Sequence, residues 1–344
     1  MKPYIYYTSS LDAWHGISRA VEKAERSIYI EMYIFVDDME EIKNFVSLLA
    51  TKAKAGIKVR LIFDGFGSLD ISTEAIRELE DAGAEIVFFK KLFFRMHRKI
   101  VIIDEKIGFI GGVNFHKAAA EWDDLLLQIE GPVVNSLLYS FTRTYKKCGG
   151  RDKQLLNLKK PIPKNDSQVW FIEHMPFTQK PCLRGIYTRA LLGARKKITI
   201  VSPYFMPPPW LHRLLKRLAK KGIEIEVIVP HTTDSGFITR ANRYFMNRLT
   251  RKGVTFLLTP KMNHGKLLLI DNNFSCVGSQ NIDSLSFAQN AEAAICFNDI
   301  EMIEELQTII DVWKINSEVF NGEEHFTFID RMVSYIVRLI HPIL

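Results

Sequence analysis

The chain has 344 residues, 47% of them hydrophobic and 25% charged, which is the balance of a globular protein with a real core and room for two ordinary domains or one fused pair. Its four cysteines (Cys148, Cys182, Cys276, Cys296) form no C-x-x-C pair, which argues against a metal knuckle or a disulfide framework and for a reducing cytosolic setting. A net charge of +7 favours contact with nucleic acid or with an anionic membrane surface and does not separate the two. The first ten residues, Met1 to Ser10, hold no signal-peptide core, and no stretch reads as a clean membrane span. In chain order, hydrophobic periodicity predicts a helix over Leu11–Arg26, a strand over Ser27–Phe35, a helix over Glu41–Ala55 and a strand over Lys58–Asp64. A helix over Thr73–Asp81 and a strand over Glu85–Phe89 follow, with Gly56 and Gly83 where helix C-caps are expected. A stretch rich in Gly, Pro and charge, residues 146–167, reads as a linker between a first domain, 1–145, and a second, 168–320. The second half repeats the order: helix Leu183–Ala194, strand Lys197–Phe205, helix Trp210–Lys221, strand Glu224–Pro230, helix Phe237–Lys252, strand Thr255–Thr259. Gly222 and Gly253 stand at the equivalent cap positions. Strands alternating with amphipathic helices indicate an α/β sandwich around a mixed, largely parallel sheet in each half.

One pattern dominates the chain. His97-x-Lys99-x4-Asp104-x6-Gly111-Gly112-x-Asn114 recurs as His264-x-Lys266-x4-Asp271-x6-Gly278-Ser279-x-Asn281, every position 167 residues later (97 to 264, 99 to 266, 104 to 271, 114 to 281). Both copies carry a buried-strand filling, Ile100–Ile103 and Leu267–Ile270. Residues two apart on a strand share a face, so each histidine sits beside its lysine. Two imidazoles, two ammonium groups and two amides suggest one composite anion site at a pseudo-twofold interface. A lysine beside each histidine is a poor metal ligand, whereas lysine, asparagine and small residues that admit backbone N–H groups suit a phosphate. Histidine can attack phosphorus and form a phosphohistidine, and a protonated partner can serve the departing and incoming alcohols. Lys99, Lys266, Asn114 and Asn281 would hold the non-bridging oxygens, with no metal or other cofactor required.

The paired His-x-Lys-x4-Asp motif resembles the phospholipase D superfamily, and the resemblance runs from about Tyr4 to about Phe320. The stretches Arg95–Asp104, Phe109–Asn114, Ile129–Pro132 and Val277–Ser286 are most similar to bacterial cardiolipin synthases of the B type, which lack long N-terminal membrane spans. The resemblance implies two similar α/β/α sandwich domains with the active site between them. It also implies His97 as nucleophile and His264 as acid, an order that the internal symmetry does not give. Asp124 and Glu292, 27 and 28 residues after the histidines, are by the same resemblance the orienting carboxylates. Asp104 and Asp271 are expected to be structural strand-end residues facing away from the site. Ser279 and Gly112 are expected to line the substrate site; only the second half offers a hydroxyl there, so the halves need not be chemically equivalent.

The resemblance implies transfer of a phosphatidyl group from one phosphatidylglycerol to another with release of glycerol, at the cytoplasmic face of a bacterial inner membrane and in peripheral contact with it. The alternative is a phosphodiesterase or nuclease with water as acceptor. No run of interleaved basic and aromatic residues makes a stacking groove for nucleic acid. In the tail 321–344, residues Ile329, Met332, Val333, Ile336, Val337 and Ile340 share one helical face, a pattern that fits either an interfacial membrane helix or a helix packed on the core. Phe93–Met96 and Met206–Leu211 fit either a lipid entrance or a core edge. Oligomeric state is not readable from the sequence.

Overall fold

A computed structural model describes residues 2–91, 94–162, 167–176 and 182–322. The expected tail, 321–344, therefore lies outside the described residues from position 323 onward. The chain divides into two compact units, Met1–Phe171 and Ile172–Leu344.

The first unit runs β1 (Tyr4–Ser9), α1 (Ser10–Glu22), β2 (Ser27–Met32), α2 (Glu40–Lys54), β3 (Lys58–Asp64), α3 (Thr73–Asp81), β4 (Glu85–Phe89), β5 (Lys99–Ile103), β6 (Ile107–Gly111), β7 (Asp123–Glu130), α4 (Val133–Lys147) and α5 (Lys153–Leu156). Its seven strands lie in the order β1-β7-β6-β5-β2-β3-β4. Helix α1 starts where the Ser9 hydroxyl accepts from the Asp12 N–H at 3.2 Å, and it buries Ala13, Trp14, Ile17 and Val21. These residues share a core with Phe45, Val46 and Leu49 of α2, Ala75 and Leu79 of α3, and Ile28, Ile30, Leu61, Phe63, Val101 and Ile103 of the sheet. The opposite face carries α4, where Phe141 meets Tyr29 of β2 at 5.4 Å between ring centroids. Every residue of β2 and β5 is buried, because helices cover both faces of the sheet.

The second unit repeats the plan with β8 (Val169–His174), which straddles the boundary, then α6 (Cys182–Gly193), β9 (Lys197–Val201), α7 (Pro209–Lys220), β10 (Glu224–Pro230), α8 (Gly236–Thr250), β11 (Val254–Thr259), β12 (Leu267–Ile270), β13 (Phe274–Gly278), α9 (Ser284–Ala288), β14 (Glu292–Phe297), α10 (Ile300–Ile315) and β15 (Glu318–Val319). Its sheet order is β15-β11-β10-β9-β12-β13-β14-β8. Gly56, Gly83, Gly222 and Gly253 all have φ between 85° and 94°, the left-handed conformation expected just beyond a helix end.

Three expectations change. The sheets are mixed: pairing is parallel across β2-β3-β4 and β9-β10-β11 and antiparallel across β1-β7-β6-β5-β2 and β9-β12-β13-β14. The motif strands β5 and β12 are each the first arm of a tight hairpin, so they pair antiparallel with β6 and β13 and also with β2 and β9. The stretch read as a linker, 146–167, belongs in its first part to the first unit. Lys146 and Lys147 finish α4, and the Asp152 carboxylate binds Arg60 of β3 at 3.0 Å while its N–H reaches the Tyr145 hydroxyl at 3.1 Å. Strands expected to reach Phe35 and Phe205 stop at Met32 and Val201, after which Phe35 and Phe205 form single bridges to Phe115 and Ile282.

Those bridges define one working end of each sheet. The carboxyl ends of β2 and β3, the start of β5, the end of β6 and the start of β7 converge there. The same five positions converge in the second unit through β9, β10, β12, β13 and β14.

Candidate active site

In the first unit that end holds His97, Lys99, Asn114 and Asp124. His97 is 7% exposed, and Lys99, Asn114 and Asp124 are buried. The Lys99 ammonium donates to the His97 carbonyl at 3.0 Å and lies 4.8 Å from the centre of the Tyr33 ring. Tyr33, in the segment that leaves β2, meets the His97 ring edge-on at 4.8 Å. The Asn114 carbonyl accepts from the Trp14 indole N–H at 2.9 Å, which pins this turn to α1. In the second unit, His264, Lys266, Asn281 and Glu292 take the equivalent positions and all are buried. Lys266 donates to the His264 carbonyl at 2.5 Å, and Tyr204 lies edge-on to His264 at 6.5 Å. The side-chain carbonyl oxygens of Asn114 and Asn281 are both buried without a hydrogen-bond partner.

Each buried lysine sets a positive charge beside its histidine, the arrangement that suits an anionic ligand. The pattern suits phosphate oxygens better than a metal ion. Among the described residues no group of three or more His, Cys, Asp and Glu is arranged to hold a metal.

The carboxylates are held differently. Glu292 accepts from the Ser279 hydroxyl through one oxygen and from the Ser286 hydroxyl at 2.8 Å through the other. Ser286 in turn accepts from the Asn281 N–H at 3.1 Å, so the carboxylate and the amide turn form one network. Asp124 accepts from the N–H of its neighbour Leu125 at 2.7 Å, and Gly112 offers it no hydroxyl. His174 of β8 is buried with neither ring nitrogen hydrogen-bonded; burial holds its pKa below the ordinary histidine value, partly offset by the nearby Glu292 charge.

Two expectations about the small residues are corrected. The N–H groups of Gly112 and Ser279 are not presented to a substrate, since they donate to the Leu125 and Ala293 carbonyls, each at 3.0 Å. Ser279 gives its proton to Glu292 and accepts from the Ala293 N–H at 3.1 Å, so its hydroxyl orients the carboxylate instead of lining a substrate site. Gly111 and Gly278 are small because the next strand runs against them: a Cβ would lie 2.1 Å from the Leu125 carbonyl oxygen or 2.3 Å from that of Ala293.

The motif aspartates lie at the other end of their strands. Asp104 stands five positions after Lys99 along β5, roughly 16 Å at strand rise. Asp104 and Glu105 have φ of 53° and 60°, and Asp271 and Asn272 have 50° and 54°, the left-handed pair that a tight hairpin turn demands. The Asp104 carboxylate accepts from the N–H groups of Glu25, Arg26 and Ser27 at 2.7 to 3.3 Å. Asp271 accepts from those of Arg195, Lys196 and Lys197 at 2.6 to 2.8 Å. Burial pushes both carboxyls up, but these backbone donors, with Lys106 or Lys196 nearby, outweigh it and hold both pKa values below the ordinary aspartate range.

Sequence reasoning missed Tyr33, Tyr204 and Ser286. Only Ser286 had a signal, because it ends the stretch Val277–Ser286 that resembles the superfamily. Met206 and Leu211 are buried, so that segment is core edge. In the other candidate segment Phe93 lies outside the described residues and Met96 is fully buried. Among the exposed apolar residues are Phe66 and Leu69, 52% and 65% exposed on the loop after β3.

The family model described as cardiolipin synthase, PLD-like domain, matches residues 17–144 and 187–313, one match over each unit. The chain belongs to this family. It is 32% identical to the probable cardiolipin synthase YwiE of Bacillus subtilis strain 168, over 86% of this chain and 63% of that protein. It is 29% identical to a cardiolipin synthase of Alkalihalophilus pseudofirmus, over 98% of this chain and 71% of that protein. The chain thus spans about two thirds of the length of these relatives. Among solved structures, a phosphatidylserine synthase of Haemophilus influenzae Rd KW20 superposes with a TM-score of 0.78 at 13% identity, covering 99% of this chain and 93% of that one. That likeness shows a shared fold.

Proposed function

We propose that the chain is a phospholipid phosphatidyltransferase of the cardiolipin synthase type and that both half-sites act on one phosphodiester. The observation that carries this reading is the buried His–Lys pair with its asparagine, found at the same end of equivalent sheets in both units. Membership of the cardiolipin synthase family supports the choice of phosphatidylglycerol as substrate. His97 attacks phosphorus, the bond from phosphorus to the headgroup glycerol oxygen breaks, and His264 gives that oxygen its proton. The glycerol hydroxyl of a second phosphatidylglycerol then loses its proton to His264 and attacks the phosphohistidine. The phosphorus–nitrogen bond breaks and cardiolipin leaves. Lys99, Lys266, Asn114 and Asn281 stabilise the non-bridging oxygens, and Asp124 and Glu292 orient the imidazoles.

Membrane contact is part of the proposal. No helix among the described residues is long and apolar enough to cross a membrane. Phe66 and Leu69 lie exposed on a loop whose root, Asp64, also binds the Met96 N–H next to His97, and Arg95 packs 4.0 Å over the Phe66 ring. An apolar tip with a cation beside it suits an anionic lipid interface, at the cytoplasmic face of a bacterial membrane. Purified chain is incubated with phosphatidylglycerol vesicles, and separately with single-stranded DNA. Cardiolipin and free glycerol in equal amounts are expected, and phosphatidic acid alone, or cleavage of the DNA, would overturn the assignment.

A further inference from the structure

Strand register makes the two units comparable residue by residue. Ile100 of β5 faces Glu31 of β2, and its repeat Leu267 of β12 lies next to Lys266 and faces Val201 of β9. Glu31 therefore corresponds to Val201, and Arg98, one residue before Lys99, corresponds to Gly265. In the next strand Ile62 pairs with Glu31 and Ile228 with Val201, so Asp64, two residues on, corresponds to Pro230. The first unit thus has two acids and an arginine where the second has valine, glycine and proline.

All three polar residues are used. Arg98 binds Glu31 at 2.5 Å with both side chains fully buried. Asp64, also buried, accepts the Met96 N–H at 2.7 Å through one oxygen and the Phe66 and Gly67 N–H groups at 3.0 and 2.9 Å through the other. His97 lies between Met96 and Arg98, so its backbone is anchored on both sides by buried carboxylates from two neighbouring strands. Side chains alternate along the chain, so Arg98 leaves by the face opposite His97 and Lys99, the face of Tyr29 and α4. Cys148, at the end of α4, lies near the cluster: burial and then the Glu31 charge push its thiol up to about 12. In the segment before His264, the Gly265 N–H donates to the Asn263 side chain at 3.0 Å.

We infer that Glu31, Asp64 and Arg98 are positioning residues that fix His97 from the reverse face of the sheet, making the first unit the rigid half of the reaction. This rests on the reading that His97 is the nucleophile. A nucleophile must hold its angle to phosphorus through two displacements, whereas an acid–base histidine tolerates more play because protons move along adjustable hydrogen bonds. The cluster does not touch substrate, and a buried ion pair is weak evidence of stability, since apolar replacement of both partners is often neutral.

That last point supplies the test. The double variant Glu31→Leu with Arg98→Met replaces the buried ion pair by apolar volume while Asp64 stays. It is expected to keep its thermal midpoint while kcat on phosphatidylglycerol vesicles falls on the order of 10- to 100-fold, the loss that a shift of about 1 Å brings, with KM unchanged. A folded double variant with wild-type kcat would overturn the inference. Should that variant not fold, Asp64→Asn decides. It keeps the loop N–H acceptor but sets an amide donor against the Met96 N–H, and kcat per folded molecule should fall while KM holds; an unchanged kcat per folded molecule rejects the positioning role. His97→Ala is assayed beside them. If it keeps turnover, the nucleophile assignment has failed, whatever the cluster variants do.

Discussion

Asp104 provides a quantitative test of what the motif aspartate does. Its carboxylate receives three backbone N–H groups, and its own backbone sits at φ 53°. Hydrogen bonds to a charged acceptor are worth about 1.5–3 kcal/mol each when shielded, but this carboxylate is partly exposed and water can replace part of the loss. Asp104→Gly should therefore destabilise the first unit by about 2–4 kcal/mol. Asp104→Ala should lose about 1–2 kcal/mol more, because a Cβ is strained in the left-handed region. Asp104→Asn should fall between wild type and Gly, since asparagine tolerates that φ and keeps one acceptor. For a unit of this size, 1 kcal/mol moves the midpoint by roughly 2–4 °C, so Asp104→Gly should lower the first unit's transition by roughly 5–15 °C. Circular dichroism melts and activity per folded molecule are measured together, the latter well below the transition. The depressed carboxyl pKa adds a pH signature. A group whose folded pKa lies below its unfolded value stabilises above the unfolded value and loses that contribution as pH falls through the folded one. The charge-dependent part of the stability gap between wild type and Asp104→Gly should thus be full at neutral pH, begin to shrink below about pH 4, where an ordinary aspartate protonates, and be lost as pH falls through the still lower folded pKa. Because the turn is a strand length from Lys99, kcat should be unchanged. A variant that melts like wild type but has lost kcat would refute the structural role.

Three further outcomes are expected. His97→Ala and His264→Ala should each abolish transfer, and the double variant should be no worse than the more damaging single one, since residues acting as a unit are not additive; near-normal turnover in either single variant would overturn the proposal that both histidines act on one phosphodiester. Phe66→Asp with Leu69→Asp should weaken vesicle binding and vesicle turnover but spare hydrolysis of a small soluble phosphodiester, because both side chains already face solvent; equal damage to both assays would remove the membrane role of this loop. The Cys148 thiol, pushed up to about 12 by burial and neighbouring negative charge, should resist alkylation at pH 8 in the native chain and react on unfolding; rapid native labelling of Cys148, located by peptide mapping, would contradict the packing at the end of α4.

The sequence by itself determined the doubled architecture, because periodicity and repeat spacing are local properties. Helix α3 and strands β3, β4 and β10 have the bounds that their hydrophobic patterns indicate, and the four cap glycines stand where the chain must turn left-handed. The His, Lys and Asn positions were legible for the same reason: a hairpin with two arms of equal length brings the residues before its first arm and after its second to one end. Pairing direction was not legible, since an apolar run such as Ile100–Ile103 reads alike in either orientation, and only the tight Asp104 turn makes it antiparallel. Tertiary structure alone decided where hydrogen bonds go. The Gly112 and Ser279 N–H groups satisfy carbonyls of the next strand, and the Ser279 hydroxyl turns to Glu292. Likewise only cross-strand register sets Glu31 and Arg98 against Val201 and Gly265, and so exposes a difference between two halves whose motifs look the same. Motifs record which groups the chemistry needs, while partners distant in sequence decide how firmly each group is held.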